Sequence, residues 1–117
     1  MPGRGDRGAV TVEAAIALGS LAVVTAAAVG SLAAIASSIR CIDAARELAR
    51  LAARGEPERG RAVAAALAPS GATVELVVHD DEVTARVSAA PVDLLPLRVG
   101  GRAVAVLEPG VAEQVTP

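Results

Sequence analysis

Arg7-Gly8-Ala9-Val10-Thr11-Val12-Glu13 opens the stretch that decides the fold, and the 26 residues after it, 14–39, carry neither a charge nor a proline. A basic leader, a Gly, a carboxylate five residues later and an uninterrupted apolar run read together as a processing site joined to a membrane helix. At about 1.5 Å rise per residue the run makes a helix of about 39 Å, longer than the roughly 30 Å hydrocarbon core of a bilayer. Nine of its residues are large aliphatics. At about −0.3 to −0.6 kcal/mol each they favour insertion by about 3 to 5 kcal/mol before the Gly and Ser costs. Ala22, Ala26, Gly30, Ala34 and Ser38 recur every four residues, a ladder of small side chains along which helix backbones approach closely. An Ala-rich chain also produces such spacing by composition alone.

Outward from this stretch, residues 1–8 hold Gly, Pro, Arg4, Asp6 and Arg7 without apolar periodicity and are expected to be a disordered, cytoplasmic leader peptide. Ala26-Ala27-Ala28 and Ala34-Ile35-Ala36 have the form of signal-peptidase sites. The apolar run exceeds the usual signal core of about 7 to 15 residues, however, and helical spacing continues past both. Residues 9–39 form the membrane or assembly helix. Residues 40–55 extend it as an amphipathic segment, with Arg40, Asp43, Glu47, Arg50 and Arg54 on the polar stripe and Ile42, Ala45, Ala49 and Ala52 opposite. The predicted helix runs over residues 10–54 and stops at Gly55, the residue type that ends helices in a left-handed conformation.

Residues 56–110 are expected to form a small extracytoplasmic α+β domain. Pro57 suits the first turn of a short second helix through Leu67. The period then becomes two: Val74, Leu76 and Val78 alternate with Glu75, Val77 and His79, and Val83, Ala85 and Val87 with Thr84, Arg86 and Ser88, across a tight Asp80-Asp81 turn. A two-residue loop there sets His79 opposite Glu82, Val78 opposite Val83, Leu76 opposite Ala85, Glu75 opposite Arg86 and Val74 opposite Val87. Pro91 and Pro96 bracket a linker, Gly100-Gly101 leads into a third strand at residues 102–107, and residues 111–117 are expected to be a flexible tail. The fold class is α+β: a long N-terminal helix, a short second helix and a three-stranded antiparallel meander.

Composition limits the chemistry. The chain of 117 residues has a net charge of −2, no aromatic residue, and arginine as its only basic side chain apart from His79. This near balance supports no nucleic-acid partner. One cysteine allows no intramolecular disulfide, and His79 stands outside any ligand motif. With no nucleophile and base set, no enzymatic activity, cofactor, metal or small-molecule substrate is expected.

Residues 8–13 with the apolar run resemble the processing region of type IV pilin-like proteins. Residues 40–55, from Arg40-Cys41-Ile42-Asp43 to Arg54-Gly55, look like the TadE-like minor pilins of the actinobacterial tight-adherence (Flp) pilus system. The resemblance implies cleavage between Gly8 and Ala9 by a membrane prepilin peptidase, so that Glu13 becomes the fifth residue of the mature chain. It further implies partnership with other pilins, Tad assembly proteins and membrane lipid and a role in starting or capping a filament; helix packing through Ala22, Ala26, Gly30 and Ala34 is expected from their spacing. Glu13 lies about 6 Å along the helix from an N-terminus at Ala9, where a carboxylate at the hydrocarbon edge needs a partner. A neighbouring subunit's ammonium supplies one; the alternative is a headgroup-level residue that complements the helix N-terminus.

Orientation draws opposite signals. Arg40, Arg46, Arg50 and Arg54 outnumber Arg4 and Arg7, so a positive-inside count places the C-terminus in the cytoplasm. The resemblance requires the leader there, giving a single-pass cell-membrane protein with a cytoplasmic N-terminus. Cys41 is then just outside the membrane, either a free thiol or an intermolecular one. The alternative function is a single-span membrane-anchored protein whose small extracytoplasmic domain binds a partner; a secreted module released by signal peptidase is a third reading.

Overall fold

The computed structural model describes residues 4–115. Its elements are α1 (Arg4–Ala53), α2 (Pro57–Leu67), β1 (Thr73–His79), β2 (Glu82–Ala89), β3 (Val99–Val106) and α3 (Pro109–Val115). This is the expected α+β arrangement of long helix, short helix and antiparallel sheet. The chain divides into two compact units, Met1–Leu32 and Ala33–Pro117, and α1 contributes to both.

In the first unit α1 already begins at Arg4, so residues 4–8, expected to be disordered, are helical; residues 1–3 lie outside the described part. Extending an existing helix adds one hydrogen bond per residue fixed, whereas only nucleation is costly, so a strong Ala-rich helix carries its leader with it.

In the second unit α1 ends at Ala53 with the glycine cap anticipated at Gly55. The Gly55 N–H donates to the Ala52 carbonyl and the Glu56 N–H to the Leu51 carbonyl, both at 3.0 Å, with Gly55 at φ 82°. This pair of bonds is the Schellman arrangement, which satisfies carbonyls left over at a helix end. Pro57 then opens α2 at the predicted position. The tight approach of α2 to α1 depends on Gly60, where a Cβ would lie 3.1 Å from Leu48 Cδ1 and 3.2 Å from the Leu48 carbonyl oxygen.

The sheet order is β1-β2-β3, antiparallel throughout. The β1–β2 register is the predicted one, from His79 opposite Glu82 to Val74 opposite Val87. Asp80 takes φ 54° in the connecting turn, a conformation that Asp tolerates better than most residues. Glu75 does stand opposite Arg86, but Arg102 stands opposite Arg86 on its other side, and Arg86 makes no ion pair among the described residues.

Ala85, Val87 and Ala89 on the inner face of β2 are buried with Cys41, Ala44, Ala45, Leu48 and Ala49 of α1 and with Ala64 and Ala68 around α2, and Val83 of the same face is buried with Ala52 and Leu107. The buried face of α1 thus includes Cys41, Ala44 and Leu48, which the expected stripe of Ile42, Ala45, Ala49 and Ala52 omitted; Ile42 itself is half-buried. With so many alanines the apolar stripe has no steep edge, and the sheet decides which edge it covers.

Two further expectations need correction. β3 begins at Val99 and includes Gly100-Gly101 instead of following them. At Gly101 a Cβ would fall 2.5 Å from Ile42 Cα and 2.6 Å from the Ile42 nitrogen, so the strand passes against the helix backbone where no side chain fits. The tail is not loose through its described part. The Glu108 N–H donates to the Ala53 carbonyl at 3.0 Å, which carries the chain into α3, and Val111 and Ala112 pack on the cluster of Ala52, Val83 and Leu107. The end of β3 beside the end of α1 leaves an apolar gap there, and α3 fills it.

Candidate functional site

Lipid-seeking side chains on α1 arise from its composition. From Val10 to Ile39 its eleven large aliphatics are each at least 54% exposed. They point to every side of the helix, so no soluble face remains. A helix apolar all round belongs inside a protein core or a bilayer. α1 is long and apolar enough to cross a membrane. Its hydroxyls fit that environment: Thr11, Ser20 and Ser31 each donate to the carbonyl four residues back, Arg7, Ile16 and Ala27, at 2.7 to 2.9 Å. Such bonds remove most of the cost of a hydroxyl in hydrocarbon.

Gly8, Ala9, Val12, Glu13, Ile16 and Ala17 line one shallow depression on the helix surface. The sequence-predicted processing residues and Glu13 therefore share a face. The depression is formed by a single helix and encloses nothing. Ala22 and Ala26 are exposed, Gly30 and Ala34 half-buried, and nothing lies within 4 Å of a Cβ placed on Gly30. The small-residue ladder is open for a partner along that stretch.

Cys41, two residues past the apolar run, is a free thiol, one of the two states expected for it, and it lies in the core. It is 0% exposed, packed between α1 and the sheet. An intermolecular disulfide would require α1 to lift off the sheet, and the burial of that face makes this unfavourable. His79 is exposed at the hairpin tip, its Nε2 3.6 Å from Asp80 Oδ2. Among the described residues no group of three His, Cys, Asp or Glu side chains is placed to hold a metal ion.

Arg40 has a role that periodicity did not reveal. Its Nε donates to the Leu67 carbonyl at 3.1 Å and its Nη2 to the Ala68 carbonyl at 3.2 Å, so α1 supplies the cation that caps the end of α2. Beside it lies a groove of about 280 Å³, lined by Ala33, Ala36, Ser37, Arg40, Pro69, Ser70, Ala90 and Pro91. Ser37 is 8% exposed, and its Oγ has no hydrogen-bond partner among the described residues. The linker that leaves this groove carries Leu94, Leu95 and Leu97 to the surface, Leu94 at 93% exposure. Three leucines around Pro96 are the sequence signal for this patch.

No family model matches the chain, and no solved structure does. A protein of Mycobacterium tuberculosis (strain ATCC 25618 / H37Rv) named Apoptosis inhibitor Rv3655c is 42% identical over 100 residues, covering 85% of this chain and 79% of that protein. The chain belongs to its family. The activity in that name is the relative's.

Proposed function

We propose that this chain is a minor pilin or pseudopilin of a Flp-type (tight-adherence) pilus or a related secretion apparatus. It is processed by a prepilin peptidase between Gly8 and Ala9 and packs through its N-terminal helix into the filament or its initiation complex. The observation that carries the reading is the exposure of all eleven large aliphatics from Val10 to Ile39, with Gly8, Ala9 and Glu13 on one face at the start of the same helix. Such a helix needs lipid first and neighbouring helices afterwards. The open ladder of Ala22, Ala26, Gly30 and Ala34 suits the second step, since small side chains let helices approach. The N-terminus is cytoplasmic, because the peptidase works there, and the sheet domain is extracytoplasmic. The protein performs no catalysis.

Intact-mass measurement on the membrane fraction tests this. The mature chain begins at Ala9, and Gly8→Leu accumulates the precursor because the peptidase admits only a small residue at that point. Wild-type protein that still begins at or near Met1 in cells with an active peptidase would sink the proposal.

One observation favours the simpler alternative of a permanently anchored, partner-binding protein. α1 is unbroken through Gly8 and Ala9, whereas a peptidase needs extended backbone. Local unwinding removes the objection at modest cost, since Gly5 and Gly8 each disfavour helix by about 1 kcal/mol relative to Ala.

A further inference from the structure

We propose that the linker between β2 and β3, residues 91–97, is a second membrane contact, a leucine-bearing loop that lies in the bilayer interface beside the point where α1 emerges. The inference rests on the reading of α1 as membrane-spanning and adds to it a role for the folded domain.

Depth is the first argument. The uncharged run of 26 residues exceeds the hydrocarbon core by about 9 Å when its first residue sits at the far boundary, and a bilayer with its headgroup layers measures about 40 to 45 Å. The surplus corresponds to about six residues, which places the end of the run, from about Ala34 to Ile39, in the interfacial layer. The linker is at that level: Ala90 and Pro91 line the same groove as Ala33, Ser37 and Arg40.

Chemistry is the second. Leu94, Leu95 and Leu97 are 93%, 54% and 47% exposed. Single exposed leucines are ordinary, but three within four residues make an apolar patch that marks a binding surface. The Leu95 N–H donates to the Val92 carbonyl at 3.2 Å, and prolines at 91 and 96 stiffen the turn, so the leucines are presented at little entropic cost. Arg98 follows directly, its Nη2 held 3.1 Å from Ser88 Oγ, and Arg40 stands across the groove. Both carry apolar stems and charged heads suited to the headgroup layer. Asp93 in the same loop opposes anionic lipid, so apolar burial drives the contact more than charge does.

The chain has no aromatic residue, so Leu94→Trp introduces its sole fluorophore at a site with room for it. Full-length protein carrying this substitution is reconstituted in phosphatidylcholine vesicles with bromine at shallow or deep acyl positions. Leu21→Trp reports the span and Val77→Trp the outer sheet face. Leu94→Trp should emit blue-shifted light and lose most of it to shallow bromines, with Val77→Trp unaffected. If Leu94→Trp matches Val77→Trp while deep bromines quench Leu21→Trp, the loop inference fails and the span stands. Should Leu21→Trp escape quenching too, the spanning reading fails and takes the loop with it. Blue-shifted Leu94→Trp emission that no bromine touches would overturn the proposal in favour of a protein contact, such as a second copy of the chain.

Discussion

Gly101 shows how much one missing side chain can decide. Its Cβ position falls 2.5 Å from the α1 backbone, which cannot yield as a flexible side chain would. Gly101→Ala is expected to lower stability by at least about 1 to 3 kcal/mol, the usual range for overpacking. Gly30→Ala meets nothing within 4 Å and should leave the unfolding midpoint unchanged. Denaturant titration of both variants in detergent, followed by circular dichroism, makes the comparison. Cys41 offers a second test at this scale. The core buries it, so alkylation in the native state should be slow and should become rapid only in denaturant. Prompt native labelling would show that α1 does not sit on the sheet as described. Glu13 tests the proposed function: on the pilin reading, Glu13→Ala is still cut between Gly8 and Ala9 but fails to co-purify with pilin partners, because a neighbour's ammonium is left without a counter-charge. Co-purification at the wild-type level would return Glu13 to a headgroup role.

Among the elements, α3 is the one that pattern reading missed. Seven residues, Pro109–Val115, show too little periodicity for a helix to be read from them, and a helix this short is unstable alone. It forms because Val111 covers an apolar gap at the ends of α1 and β3, and there it also limits Gly55, whose Cβ would lie 3.2 Å from Val111 Cγ2. Val111→Ala should cost about 1 kcal/mol, the order expected for two partly buried methyl groups. Thermal unfolding of the full chain in detergent measures it, and an unchanged midpoint would mean that α3 does not hold the cluster. The hairpin is the opposite case. Its register was legible because a slip of one residue would turn Val83, Ala85 and Val87 toward solvent, and a two-residue turn leaves no freedom to slip. The small-residue ladder lies between these cases: its spacing is plain in the sequence, and the structure leaves Ala22 and Ala26 exposed and Gly30 half-buried.

For the molecule as a whole, every buried residue named in the two core clusters lies between Cys41 and Leu107, inside the unit that begins at Ala33. A fragment of residues 33–117 should therefore fold without the first 32 residues and unfold cooperatively near the midpoint of the full chain. Circular dichroism on both proteins tests this. A fragment lacking a cooperative transition would mean that the apolar helix stabilises the domain from outside its core.

The sequence by itself determined the long apolar helix, its glycine stop, the proline start of α2 and the hairpin register. These depend on local rules: uninterrupted apolarity, the backbone freedom of glycine, the fixed φ of proline and a side-chain period of two. Only the tertiary structure decided which side of the alanine-rich extension is buried, that Cys41 lies in the core, that Arg40 caps α2, that Gly101 is pressed against α1 and that the tail becomes α3. The reason is physical. Alanine differs too little from its neighbours in size and hydrophobicity to mark a face, so the choice falls to shape, where the sheet meets the helix and where a gap remains to be filled.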